Sequence, residues 1–224
     1  MSAKGNSGMK ELSNEERKIE MRTRESVKQV ADEIREMEIE HAYTLDRDGN
    51  IIDGSHATGD RDSVKAKNLQ DNIFVHNHPW QDRDADVEGG VFSPEDILYC
   101  AENNCPAFFA VDGKYTYSLK VQNWTPFHSV DNSQKATMAQ SYFARRLKAQ
   151  EFAQKYREAF DNAVASSRQW YEHAKTLPQY KNPDGTLNQR ALVHDTYEKV
   201  FASAKKFFQN NASKYGYIYN EYRK

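Results

Sequence analysis

Apolar side chains recur at helical spacing near the start of the chain. Over residues 10–37 they return every three or four positions, at Val27, Val30, Ile34 and Met37, which is the period of one helix face. Ser13 and Glu16 form an S-x-x-E capping-box pattern. We therefore predict a helix over residues 10–37. It lies within an N-terminal segment of residues 1–37 that packs on the neighbouring domain through a narrow apolar stripe.

Short strand patterns follow, with one helix among them. Residues 39–45 have a strand-like pattern, a turn follows, and Ile51-Ile52 resumes the strand, which predicts a hairpin. Residues 54–71 are polar and are predicted to form a loop with one short helical turn. The remaining elements, in chain order, are a strand at 72–75, a helix at 93–103 and strands at 107–111 and 115–121. Residues 38–125 are therefore expected to form one α/β (α+β) domain.

The pattern becomes helical after residue 130. Residues 132–176 contain neither Gly nor Pro and keep apolar residues at helical spacing. A helix over that whole stretch would be about 67 Å long at 1.5 Å per residue, so it must break or extend beyond a small domain. A second helix carries apolar residues on one side, at Tyr197, Val200, Phe201, Ala204, Phe207 and Phe208. We expect residues 130–224 to be a C-terminal α-helical hairpin region, with a short strand near Tyr217.

Composition restricts the location of the protein. None of the 224 residues lies in an apolar run of membrane-spanning length, and the first 18 residues lack the apolar core of a secretory signal. Two cysteines are too few for a disulfide framework or a four-cysteine zinc site. The expectation is a soluble cytoplasmic protein with no membrane partner.

Charge is divided unevenly along the chain. Residues 1–129 contain 15 basic and 24 acidic side chains, whereas residues 130–224 contain 16 and 9. A basic helical region rich in Tyr and Phe is compatible with a contact to nucleic acid or to an acidic partner. The interpretation that we favour is that these helices bury their aromatic rings in a core and leave their lysines in water. A helix pair of this kind also allows a homodimer.

One cluster of residue types points to chemistry. His76 and His78 lie at the end of a predicted strand, and Ser93-x-x-Asp96 begins the next helix. Residues i and i+2 of a strand share a face, so both imidazoles can reach one ion, and the aspartate can supply a third ligand. Two histidines and one carboxylate with an open fourth position are typical of catalytic zinc. Taken alone, Ser93 and Asp96 also suit a helix cap.

The same residues resemble a known family. A strand, HNHP, a loop and FSPEDI at a helix start resemble the JAMM (JAB, MPN-type) zinc metallopeptidase superfamily. The HNHP form and the upstream stretch IEHAYTLDRDGNII are most similar to its RadC-like and phage or mobile-element branch. The resemblance covers residues 35–121 and implies a curved β-sheet flanked by helices, with one bound Zn²⁺.

The resemblance also implies a role for each motif residue. His76, His78 and Asp96 would be the zinc ligands, Ser93 would donate a hydrogen bond to the oxyanion, and Glu40 would be the general base. Strand alternation places Glu38 on the same face as Glu40, so Glu38 remains an alternative base. The loop of residues 80–92 is expected to bind substrate or act as a lid.

Two functions follow from these expectations. The first is a metallohydrolase that cleaves a peptide or isopeptide bond with a metal-activated water, acting on a protein or peptide substrate. A ubiquitin-like modifier and a phage or mobile-element protein are two such substrates. The alternative is a non-catalytic or regulatory module of the same fold, of phage or mobile-element origin. It would bind protein or nucleic acid through residues 130–224.

Overall fold

The protein is a mixed six-stranded sheet with helices on both faces. The computed structural model describes residues 13–87, 89–126 and 135–224. The helices are α1 (Asn14–Ile34), α2 (Pro94–Glu102), α3 (Lys135–Ala174) and α4 (Gln189–Asn211). The strands are β1 (His41–Leu45), β2 (Ala57–Thr58), β3 (Ile73–Asn77), β4 (Ala107–Val111), β5 (Tyr115–Val121) and β6 (Tyr217–Arg223). This arrangement confirms the predicted α+β class.

The sheet has the spatial order β2-β1-β3-β4-β5-β6. Strands β3 and β4 run parallel, with α2 in the connection between them, and every other neighbouring pair is antiparallel. Because β3 is central, all five of its residues are buried. The HNHP segment therefore begins at the end of a strand that has little freedom to shift.

Helix α1 covers one face of the sheet. Its N-terminus has the predicted capping box, in which the Glu16 backbone N–H donates to Ser13 Oγ at 3.2 Å and the Ser13 N–H donates to the Glu16 carboxylate at 2.7 Å. Val27, Val30 and Ile34 of the predicted stripe are buried against apolar residues of β1, β3 and β4, whereas Met37 lies beyond the helix end and is exposed. The helix ends at Ile34, three residues before the predicted end, and the first residues of the prediction, 10–12, lie outside the described residues.

The strand predictions hold in the centre of the sheet and fail at one edge. Strands β4 and β5 have the predicted bounds, and β3 continues two residues further than predicted. The prediction for residues 54–71, a loop with one short helical turn, is wrong at Ala57–Thr58, because these residues form β2, which pairs with β1. Ile51 makes only an isolated bridge to Leu45. A two-residue strand is too short to show any alternation in sequence, which is why β2 was not predicted.

The C-terminal segment shares its core with the rest of the chain. Helices α3 and α4 pack together and, with α2, cover the face opposite α1. Strand β6 pairs with β5 along its whole length. The shared core includes Phe92, Phe108, Phe152, Phe208 and Tyr217. Residues 135–224 thus supply a sheet strand as well as the two predicted helices.

Helix α3 is long and continuous. Its 40 residues correspond to a length of about 60 Å. At its far end, a small separate cluster joins Ala174, Tyr180 and Leu192, so the ends of α3 and α4 support each other there. Among the described residues, no helix is long and apolar enough to cross a membrane.

Candidate metal centre

Strand β3 places two imidazoles on one face of the sheet. His76 lies next to Phe74 on that face, and the two rings stack with centroids 4.5 Å apart. Ile73 and Val75 point to the other face, where they pack beneath α1. His78 follows the strand, and its backbone N–H donates to Val111 O at 2.8 Å. This hydrogen bond keeps the chain aligned with β4 as far as the second imidazole.

Helix α2 supplies the carboxylate, and its cap positions it. The Asp96 N–H donates to Ser93 Oγ at 3.1 Å and the Ser93 N–H donates to Asp96 Oδ2 at 2.7 Å, so the helix cap expected from Ser93 and Asp96 is present. The same carboxylate reaches His76 Nε2 at 3.2 Å through Oδ1 and His78 Nε2 at 3.3 Å through Oδ2. Capping and metal ligation are therefore compatible roles for Asp96.

The side chains of His76, His78 and Asp96, called the ligand group below, lie close enough together to hold one ion. The two imidazole Nε2 atoms of His76 and His78 lie 2.9 Å apart, and one ligand atom from each of these histidines and from Asp96 lies within 4.8 Å of the others. In a tetrahedral zinc site, with zinc–nitrogen bonds of about 2.0–2.1 Å, ligand atoms are about 3.3 Å apart. The distances observed here are close to that spacing, so the residues present suit a small divalent cation.

A hydrogen bond orients one of the ligands. His78 Nδ1 lies 3.0 Å from Gly90 O, and a carbonyl oxygen can only accept, so Nδ1 carries the proton. Nε2 is then the nitrogen that faces His76 and Asp96, and in a metal site it would offer its lone pair to the ion. His76 Nδ1 has no hydrogen-bond partner among the described residues, and this ring is held by its stacking on Phe74.

Charge in the centre is balanced between the carboxylate and the imidazoles. Burial opposes ionisation of Asp96, but His76 and His78 more than offset it and hold the pKa of this carboxyl well below its usual range. Burial also opposes a charge on His78, yet the hydrogen bond and charge of Asp96 raise its pKa to about 9. The centre therefore holds positive charge readily, either as a proton or as a metal ion.

Glu40 lies beside this group, whereas Glu38 is an exposed residue. Glu40 directly precedes β1, its N–H donates to Asp60 O at 2.7 Å, and its side chain is buried. Burial raises the pKa of Glu40, although the charges of the two histidines oppose that rise. A buried carboxylate with a raised pKa is suited to proton transfer near neutral pH.

Asn77 fixes the position of Glu40, and sequence reasoning missed this. Its fully buried side chain points away from the two imidazoles. Asn77 Oδ1 accepts from the His41 N–H at 2.5 Å, and Nδ2 donates to Ile39 O at 3.1 Å. The two bonds hold the residues on either side of Glu40. Nothing in the sequence around Asn77 indicates this role, because its two hydrogen-bond partners are 36 and 38 positions away in the chain.

Asn77→Ala is expected to lower the free energy of unfolding by about 1–3 kcal/mol, because it removes a buried amide side chain and leaves the part-buried His41 N–H and Ile39 C=O without this partner. Urea denaturation measures this, with the exposed Asn210→Ala on α4 as the matched control. Zinc binding should persist while any hydrolysis falls, because Glu40 loses its support. Wild-type stability in the Asn77 variant would contradict the assignment.

A cleft of about 380 Å³ opens beside the ligand group. Its lining includes Glu40, His78 and Ser93, together with Tyr156 of α3 and Phe201 of α4. Ser93 Oγ accepts one hydrogen bond in the helix cap, which leaves its own proton available for donation into the cleft. Three of the five predicted site residues, Glu40, His78 and Ser93, thus line this cleft, and the other two, His76 and Asp96, contact His78 beside it.

Comparison with known proteins adds no assignment. No family model, no curated protein and no solved structure matches this chain. The family resemblance therefore rests on the motif residues alone, and the case for a function rests on the geometry of the cleft.

Proposed function

We propose that this protein is a JAMM-type, RadC-like zinc metallohydrolase of the cytoplasm that cleaves a peptide or isopeptide bond. The observation that carries the proposal is the convergence of two imidazoles and one carboxylate beside a buried glutamate in an open cleft. His76, His78 and Asp96 would hold the ion. Helix-cap stability alone does not require the two histidines to face Asp96, whereas metal binding does.

A bound zinc ion supplies Lewis acidity, which polarises a carbonyl oxygen and lowers the pKa of water. Glu40 takes a proton from the attacking water while the water oxygen bonds to the carbonyl carbon. It returns that proton to the amine when the carbon–nitrogen bond breaks, so its charge is restored after each turnover. Ser93 donates its hydroxyl proton as a hydrogen bond to the carbonyl oxygen, where negative charge develops.

The cleft lining gives the substrate its general form. The open cleft is lined by aromatic side chains of α3 and α4 and also by charged side chains such as Arg61, Glu95 and Arg157. This mixture suits a peptide segment, because a peptide presents both apolar and charged groups. The substrate is a protein or peptide, and a ubiquitin-like modifier joined through an isopeptide bond is one member of that class. We also propose that the protein originates from a phage or a mobile element.

The proposal is tested with purified full-length protein, its zinc content and a panel of quenched peptides and lysine isopeptides. We expect about one zinc ion per chain and hydrolysis that stops with a zinc chelator and returns when zinc is added. The exposed His173→Ala serves as the matched control and should behave as wild type. Bound zinc without turnover of any panel member would favour the regulatory module, and absence of zinc binding would overturn the proposal.

A further inference from the structure

Helix α4 presses on the loop that follows the two histidines. Phe201 of α4 packs with Ala85 and Val87 of that loop in one buried cluster. Its ring also lies against Gly90, where an added Cβ would come within 2.6 Å of Phe201 Cε1. Gly90 has a φ of +88°, a conformation that favours glycine. The contact between α4 and the loop therefore leaves no room for a side chain at Gly90.

The same glycine holds a ligand of the candidate metal centre. Gly90 O accepts the His78 Nδ1–H at 3.0 Å, and this bond sets which nitrogen of His78 faces the ligand group. A Cβ at the preceding Gly89 would overlap the backbone of His78. The loop is thus confined on one side by the Phe201 ring and on the other by His78.

Helix α3 supports the carboxylate side of the centre in a similar way. Arg157 forms an ion pair with Glu95, which directly precedes Asp96 in the first turn of α2. This ion pair is exposed, so by itself it contributes little to the stability of the contact between α2 and α3. Packing between α2 and α3 in the shared core adds to it. The two C-terminal helices thus contact the chain next to two of the three ligands.

We infer that the C-terminal helices are part of the metal centre, with Phe201 as a positioning residue that sets zinc affinity through Gly90 and His78. The inference rests on the proposed metal binding and goes beyond it. It assigns to residues 135–224 a role that neither substrate contact nor folding alone requires. Phe201 acts through the loop: its ring fixes the Gly90 carbonyl, and the carbonyl fixes the imidazole.

The test is the zinc affinity of the full chain, measured by competition with a chromophoric chelator. Phe201→Ala should weaken zinc affinity by about tenfold, the lower end of the effect of removing an outer support of a ligand. Phe201→Leu keeps most of the packing volume and should stay close to wild type. The matched control is Phe207→Ala, since Phe207 lies on the same helix but packs against Phe152 and Tyr156.

Each outcome separates the inference from the proposed function. Failure of the wild-type chain to bind zinc would overturn both. Wild-type affinity in Phe201→Ala, with zinc still bound by the parent chain, would overturn the inference alone. Equal losses in Phe201→Ala and Phe207→Ala would also overturn it, because the effect would then reflect general loosening of the core. A loss confined to Phe201→Ala and restored in Phe201→Leu supports it.

Discussion

Replacing His76 and His78 together by alanine is expected to reduce bound zinc from about one ion per chain to none. Only Asp96 of the ligand group would remain, and one carboxylate does not hold zinc tightly. Zinc should also stop protecting the protein against unfolding. For the wild-type chain, free zinc at 100 times the dissociation constant adds about 2.7 kcal/mol of stability. Elemental mass spectrometry and thermal unfolding with and without zinc measure the two effects.

Loss of the His76 ring also removes its stacking on Phe74, so a general loss of stability must be separated from loss of the ion. Asp96→Asn serves this purpose, since an amide oxygen still accepts the Ser93 N–H of the helix cap while the negative charge disappears. We expect this variant to fold and to bind zinc weakly. Full zinc binding in both variants would show that the ion, if bound, lies elsewhere.

Glu40→Gln is expected to retain zinc and to lower hydrolysis by about 10²–10⁴-fold, the usual contribution of a general base. The amide has nearly the same shape but cannot take up a proton. Stability should not fall. Burial raises the pKa of Glu40 in the folded protein, so above that pKa the ionised side chain opposes folding, and the neutral amide removes this penalty. Steady-state kinetics measures the loss of hydrolysis, elemental analysis measures the retained zinc, and urea denaturation measures the stability.

The matched control is Glu38→Gln, which changes an exposed carboxylate two positions away and should leave hydrolysis unchanged. The opposite pattern, with turnover lost in the Glu38 variant and kept in the Glu40 variant, would transfer the general-base role to Glu38. Zinc loss in Glu40→Gln would instead make Glu40 a ligand.

Local patterns in the sequence were enough for most of the elements and for the ligand group. The capping box of Ser13 and Glu16, the bounds of β4 and β5 and the two C-terminal helices all followed from spacing within a few residues. The pairing of His76 with His78 did too, because positions i and i+2 of a strand share a face wherever that strand lies. Asp96 joins them because α2 is the next element after β3 and its first turn lies beside the end of that strand.

The tertiary structure alone decided the remainder. It separated Glu40 from Glu38, since burial beside the histidines depends on how β1 pairs with β3. It also gave Asn77 its role and joined Phe201 to Gly90, which is 111 positions earlier in the chain. The tertiary structure also placed β6 beside β5 in the sheet and placed residues of α3 and α4 in the lining of the cleft. The physical reason is common to all of these. Periodicity reports which face of an element is apolar, but contacts between distant segments depend on which faces pack together in the folded chain.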